Sequence, residues 1–354
     1  MKSRSIRALC SFAVLAAATT AAMPGAYAED PYVIYLSNNF VGNDWRQQML
    51  RVAEVTANKE PFAGRVDLRI ENVEGTVQAQ INSLNNIIRS KPNAILVDAA
   101  SAEALNPTIQ KACDAGIVVI SFDQTISAPC AYAVESDWNR IPNVMAEWMA
   151  DQLGGKGKVI IDSGLAGVPI SANIEKGYRG VLSNYPDIEV VGTYNGDYAL
   201  GPEQAGVGSL LAAHPQIDGI LTQGYGSGAI KALQDAGRPV VPVTGFSYNV
   251  SALTCLETEG AKCILASNPA YLSSEAIRLA VQILDSGERP EERHILVNGP
   301  FLATGGFTSK LHPEADVVEL ENGKNAFPDL APGLTLPVSP DWMEITPAES
   351  AGTN

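Results

Sequence analysis

The stretch AILVDAASAEALNPTIQKACDAGIVVISFD, residues 94–123, decides the fold. Ala94-Ile95-Leu96-Val97 is an unbroken apolar run that ends in Asp98. Residues 104–115 carry helical periodicity, and Gly116 supplies the closing residue. Residues 117–122 form a second apolar run that ends in Asp123. Two continuous apolar strands joined by a helix make a βαβ unit, and such strands belong to a parallel sheet covered on both faces.

The alternation continues in both directions. Upstream, residues 32–37 read as a strand bounded by Asn38-Asn39, and 44–59 as a helix capped by Asn43 or Asp44. Residues 66–70 are the next strand, and 76–89 a helix with Val77, Ile81, Leu84, Ile87 and Ile88 on one face. After Trp138 the pattern restarts. Helices over 141–153, 173–184, 202–213, 227–236, 250–258 and 271–284 alternate with strands over 159–162, 188–192, 219–222, 239–244 and 263–266. Two runs of four or five such units predict an α/β protein of two doubly wound, Rossmann-like parallel-sheet lobes. The Pro-rich tail after Phe327 lacks periodicity and is expected on the surface.

Composition narrows the function classes. The 354 residues are 46% hydrophobic and 18% charged, with a formal charge of −15. That excludes a disordered chain and favours two domains. The acidic balance argues against nucleic acid and against docking by charge on an anionic membrane. Lys2, Arg4 and Arg7, an apolar stretch to Met23, and Ala26-Tyr27-Ala28 read as a signal peptide over residues 1–28, cleaved near Ala28. Cys113, Cys130, Cys255 and Cys263 remain after cleavage. An even count in an exported chain points to disulfides, of which local pairing is the simplest of three arrangements; buried free thiols are the alternative. No metal-ligand spacing occurs, and no cofactor is implied.

In open α/β sheets, ligands bind outside the carboxyl ends of the strands. Those ends carry Asn38, Phe40 with Trp45 beyond it, Asp98 and Asp123 in the first half. In the second half they carry Gln223, Tyr225, Ser247, Asn249, Ser267 and Asn268. Carboxylates and amides suit the O–H groups of a polyhydroxylated ligand, and ring faces suit its C–H faces.

Residues 33–40 with Trp45, the run 118–123, the turn 164–169, the stretch 220–224 and Ala266-Ser267-Asn268-Pro269 occur in that order. Over residues 32–307 the chain thereby resembles the ribose-type periplasmic sugar-binding proteins of ABC importers. The resemblance implies the type I periplasmic binding protein fold, with a three-stranded hinge. It also implies lobes over 29–133 plus 269–303 and over 134–268 plus 304–354. A monosaccharide or polyol would sit in the cleft, and the loaded monomer would deliver it to a membrane permease. Asp123 matches the family's cleft aspartate, Asn38 the polar residue after the first strand, and Phe40 and Trp45 its stacking aromatics. Gln223 precedes Gly224, which stands where the family carries an Asn. Ser267, Ser247 and Gln124 stand where many members carry Gln, Asp and Arg. Asn173 or Ser171 is the nearest polar candidate where an Arg is expected before Gly177. The scaffold matches better than the ribose contacts do.

Other readings fare less well. Residues 224–229 fit G-x-G-x-x-A between a strand and a helix, a loose dinucleotide pattern. No acidic residue ends the next strand, which weakens it. The histidines His214, His294 and His312 end no strand, and hydrolase and metalloprotease motifs are missing, so an exported enzyme is a distant alternative. A binding protein that reports a sugar-like signal to a chemoreceptor or kinase is the nearer one.

Overall fold

The computed structural model describes residues 30–73, 75–166 and 169–353. The expected signal peptide, residues 1–28, lies outside them. The chain begins with β1 (Tyr32–Asn38), α1 (Asp44–Asn58), β2 (Val66–Asn72), α2 (Val77–Ser90), β3 (Ala94–Asp98), α3 (Asn106–Asp114), β4 (Val118–Phe122) and β5 (Tyr132–Ser136). It then passes into α4 (Arg140–Gln152), β6 (Lys156–Asp162), α5 (Pro169–Leu182), β7 (Asp187–Tyr194), α6 (Leu200–Ala213) and β8 (Gly219–Leu221). That run continues through α7 (Ser227–Asp235), β9 (Val243–Phe246), α8 (Asn249–Glu257) and β10 (Cys263–Ala266). Last come α9 (Leu272–Ser286), β11 (His294–Val297), β12 (Phe301–Ala303), β13 (Val317–Glu319) and α10 (Pro347–Ala351).

Among the described residues two sheets form, ordered β11-β5-β4-β3-β1-β2 and β13-β12-β10-β9-β8-β6-β7. Neighbouring strands run parallel except β10 and β12. β3 and β4 are buried at all five positions because helices cover both faces. On one face Trp45 and Met49 of α1 and Ile277 of α9 pack against Leu36 and Phe122. On the other, Leu84 of α2 and Ile109 of α3 pack against Ile95 and Val119. The second sheet is clothed likewise, by α4 and α5 on one side and by α6, α7 and α8 on the other. Helix ends follow local chemistry. Asn43 caps α1, accepting from Arg46 N (2.9 Å), and Thr76 caps α2, accepting from Ala79 N (3.2 Å). α3 starts two residues later than the periodicity predicts, with Pro107 in its first turn, where a missing N–H is harmless. Gly116 follows it at φ 83°, a conformation that only glycine adopts freely.

The chain crosses between sheets after β5, after β10 and between β11 and β12. The expected boundary near residue 304 is displaced: residues 301–303 form β12 of the second sheet, where Phe301 is buried beside Ile264. The tail is not a surface appendage, and it is not confined to the second lobe. Leu334 and Leu336 enter the core against β8 and β9, whereas Met343 and Ile345 enter the core of the first lobe. α10 packs on α1. The disulfides follow the local arrangement, Cys113–Cys130 and Cys255–Cys263.

Candidate functional site

The carboxyl ends of both sheets face a cavity of about 640 Å³. The first lobe contributes Trp45, Arg46, Asp123, Gln124 and Glu135 to its wall. The second contributes Asn173, Tyr198, Gln223, Phe246 and Tyr248. Trp138 and Asn268 line it from the crossings, and Thr335 from the tail.

A buried charge cluster forms the floor on the first lobe. Asp98 and Asp123 end adjacent parallel strands, so their carboxylates need a cation. Arg46, in the first turn of α1, supplies it. Its guanidinium pairs with Asp98, lies 3.5 Å from Asp123 and donates to Asn38 Oδ1 (3.3 Å). Burial lowers the Arg46 pKa, and Asp123 partly restores it. Asp123 sits at φ 56°, which Asp tolerates better than most side chains, and its Oδ1 accepts from Asn268 Nδ2 (3.1 Å). Asn268 is in turn held by Ser136 (2.7 Å), and its carbonyl accepts from the Trp45 indole (2.8 Å). Cleft floor and second crossing are thus one hydrogen-bonded unit.

The opposite wall is equally fixed. Gln223 donates through Nε2 to the carbonyls of Asp162 and Ser171 (both 2.9 Å), leaving Oε1 on the cleft side to accept from Tyr198 (3.4 Å). Asp162 accepts from the N–H groups of Gly164 (2.7 Å), Gly196 (2.8 Å) and Gln223 (3.2 Å). Burial raises its pKa while those amides oppose the shift. Trp138 and Phe246 meet at 6.2 Å between ring centroids. The Trp138 indole N–H is buried without a partner among the described residues.

Of the residues expected to bind ligand, the cavity gathers Trp45, Asp123, Asn173, Gln223, Ser247 and Asn268. Trp45 is also a core residue, only 5% exposed. The other six are elsewhere. Asn38 and Asp98 are fully buried behind the wall and hold Arg46. Phe40 is 46% exposed and its ring folds over Gly42, covering its own loop. Tyr225 stacks on Tyr248 at 4.1 Å and backs the wall that Tyr248 lines. Asn249 is spent on the tail, bonding Phe327 through both side-chain ends (2.8 Å each). Ser267 donates to Pro300 O and packs the crossing. Sequence reasoning missed Arg46, Glu135, Trp138, Tyr198 and Thr335. Two strand-end aspartates on neighbouring strands were the available signal for Arg46.

The loose nucleotide pattern is occupied from within. Glu203 of α6 is fully buried; its Oε2 accepts from Tyr225 N (2.8 Å) and its Oε1 from Ala229 N (3.1 Å). This carboxylate takes the place that a phosphate would need at the start of α7. Burial pushes the Glu203 pKa up to about 8, against the pull of the backbone N–H groups. The folded protein therefore retains a proton that the unfolded chain releases above the ordinary value of 4.5. The associated stability is complete below that value and is lost as pH rises through about 8. Urea midpoints from pH 5 to 9 should decline accordingly, and Glu203→Gln should flatten the decline. An unchanged slope in the variant contradicts this assignment.

Residues 34–289 match the periplasmic binding protein domain. The chain belongs to this family. A xylitol-binding protein of Mycolicibacterium smegmatis is 31% identical over 191 residues, 52% of this chain and 54% of that protein. The chain thus spans about half the length of that relative. A D-ribose/D-allose-binding protein of Pseudomonas aeruginosa is 25% identical over 250 residues, 66% of this chain and 77% of that protein. An ABC transporter solute-binding protein structure from Thermobispora bispora superposes with a TM-score of 0.66 at 27% identity. It covers 80% of this chain and 87% of that one. The two-lobe periplasmic binding protein architecture expected from sequence is the one the chain adopts. No described helix of this family member is long and apolar enough to cross a membrane.

Proposed function

We propose that this family member is the substrate-binding component of an ABC sugar importer, holding a monosaccharide or polyol between its lobes. The observation that carries the reading is the cleft itself. It sets the Asp123 carboxylate and the amides of Asn173 and Gln223 among Trp45, Trp138, Phe246 and Tyr248. Carboxylate and amide oxygens accept from hydroxyl groups, amide N–H groups donate to them, and rings cover the apolar sugar faces. Arg46 lines the wall as a cation, and Asp98 and Asp123 already pair with it, so a guest without negative charge fits best. The names of the relatives, which specify xylitol, ribose and allose, support the same class.

Residues 1–28 direct export, and the mature monomer works in the periplasm and hands its cargo to a membrane permease. The chain acts as a binder rather than an enzyme. Two of its cleft carboxylates are held by neighbours: Asp123 by Asn268 (3.1 Å), and Glu135 by Thr125 (3.3 Å). A guest shifts the lobes toward closure only by its preference for the closed arrangement.

A thermal-shift panel of pentoses, hexoses and alditols tests the reading. At a guest concentration about 100 times Kd, binding adds about 2.7 kcal/mol, a rise of several degrees in melting temperature. At least one neutral member should produce it. A panel in which only acidic sugars or none raise the melting temperature overturns the proposal.

A further inference from the structure

The tail forms a fourth connection between the lobes, and its bonding is asymmetric. Toward the second lobe, Asn249 N donates to Leu334 O (2.7 Å), Leu336 N to Ser247 O (2.8 Å) and Val250 N to Pro332 O (2.9 Å). The Asn249 side chain adds its bonds to Phe327, and Thr335 bridges Tyr248. Toward the first lobe, Lys59 Nζ bonds Glu344 O (2.9 Å) and Glu349 (2.8 Å), and Trp342 donates to Glu275 (2.6 Å). Residues 337–341 connect these two anchorages.

Gln48 of α1 joins them. It is 1% exposed, and its Oε1 accepts from Thr335 N (2.6 Å) and Thr335 Oγ1 (2.8 Å). Its Nε2 donates to Thr335 O (3.0 Å) and Ser350 Oγ (2.8 Å). Thr335 lines the cleft beside Tyr248, its bridge partner, so this knot is part of the cleft wall. Gly333 packs so closely on Asp44 that a Cβ there would strike the carboxylate.

We propose that the tail is a latch, and that Gln48, acting through Thr335, sets how far the cleft opens. This makes Gln48 and Thr335 positioning residues of the ligand site. Separating the lobes must break one anchorage. Stripping the tail from the second lobe would cost the Ser247, Asn249 and Val250 bonds and the burial of Leu334 and Leu336. Releasing Gln48 from Thr335 costs three hydrogen bonds and leaves the Gln48–Ser350 bond in place. The knot at Gln48 is the weaker link, so opening runs through it. A buried amide left unpaired is unfavourable, and the latch therefore biases the protein toward closure.

The functional consequence rests on the sugar-binding reading, but the opening itself does not. Small-angle scattering on the ligand-free protein should show a larger radius of gyration for Gln48→Leu than for the parent. Thr335→Val, which exchanges the hydroxyl for a methyl group and leaves the backbone bonds to Gln48 available, should move it in the same direction by less. Lys59→Met breaks tail contacts within the first lobe only and should leave the dimensions unchanged. In calorimetry with xylitol, Gln48→Leu should bind about 5- to 30-fold more weakly than the parent. If Gln48→Leu does not fold, Thr335→Val decides the matter by the same readings. Folded variants with parental ligand-free dimensions overturn the latch. Failure of the parent to bind xylitol or any other neutral member of the panel counts instead against the sugar-binding reading, and the scattering still decides the latch.

Discussion

Arg46→Met is expected to lower folding stability by about 3–5 kcal/mol, because it strands a buried carboxylate. Asp98 is fully buried, and its partner is Arg46 on the facing helix. Methionine fills much the same volume, so the loss reports the orphaned charge rather than a cavity. Asn38 Oδ1 loses a donor as well. Asp98→Asn in the same chain removes the stranded charge and should restore a large part of the loss. Urea unfolding of the parent, the single variant and the double variant measures this. A single-variant loss below about 1 kcal/mol, or a double variant no better than the single, contradicts the role given to Arg46.

Asp123→Asn carries the other large effect, on binding rather than folding. Asp123 sits at φ 56°, where alanine is strained, so alanine would confuse backbone strain with lost contacts. Asparagine tolerates that conformation and keeps an oxygen for Asn268. It removes the charge that a hydroxyl donor would meet. A hydrogen bond to a charged group contributes about 1.5–3 kcal/mol, so affinity for a bound sugar or alditol should fall roughly 10- to 150-fold. The melting temperature should change little, since Arg46 keeps Asp98. Unchanged affinity by calorimetry removes Asp123 from the site.

The parts of this molecule that local sequence dictates were legible. β3 and β4 announce themselves as apolar runs, and Gly116 marks the end of α3. Asp98 and Asp123 both stand out as strand-end carboxylates, yet only one reaches the cleft. Neither spacing nor residue type reveals that difference, because a cation eight residues beyond β1 decides it. Arg46 reads as an ordinary helical arginine until α1 is laid across the ends of β3 and β4. Phe40 was misplaced because Gly42 lets its loop fold back on itself. The tail was misread for a related reason. Its contacts are nonlocal, with Gln48 and Thr335 separated by 287 positions, and its burial follows no helical or strand period. Its proline-rich composition suggests a surface loop, whereas its leucines and methionine fill the cores of two lobes.

The central claim is that a neutral polyhydroxylated guest is held between the lobes and draws them together. Small-angle scattering during titration with xylitol, D-ribose and D-allose tests it most directly. The account predicts a saturable decrease in radius of gyration with at least one of them, at the stoichiometry of one guest per chain that calorimetry finds. Binding of such a guest with no change in dimensions, or binding that Asp123→Asn leaves untouched, would contradict it.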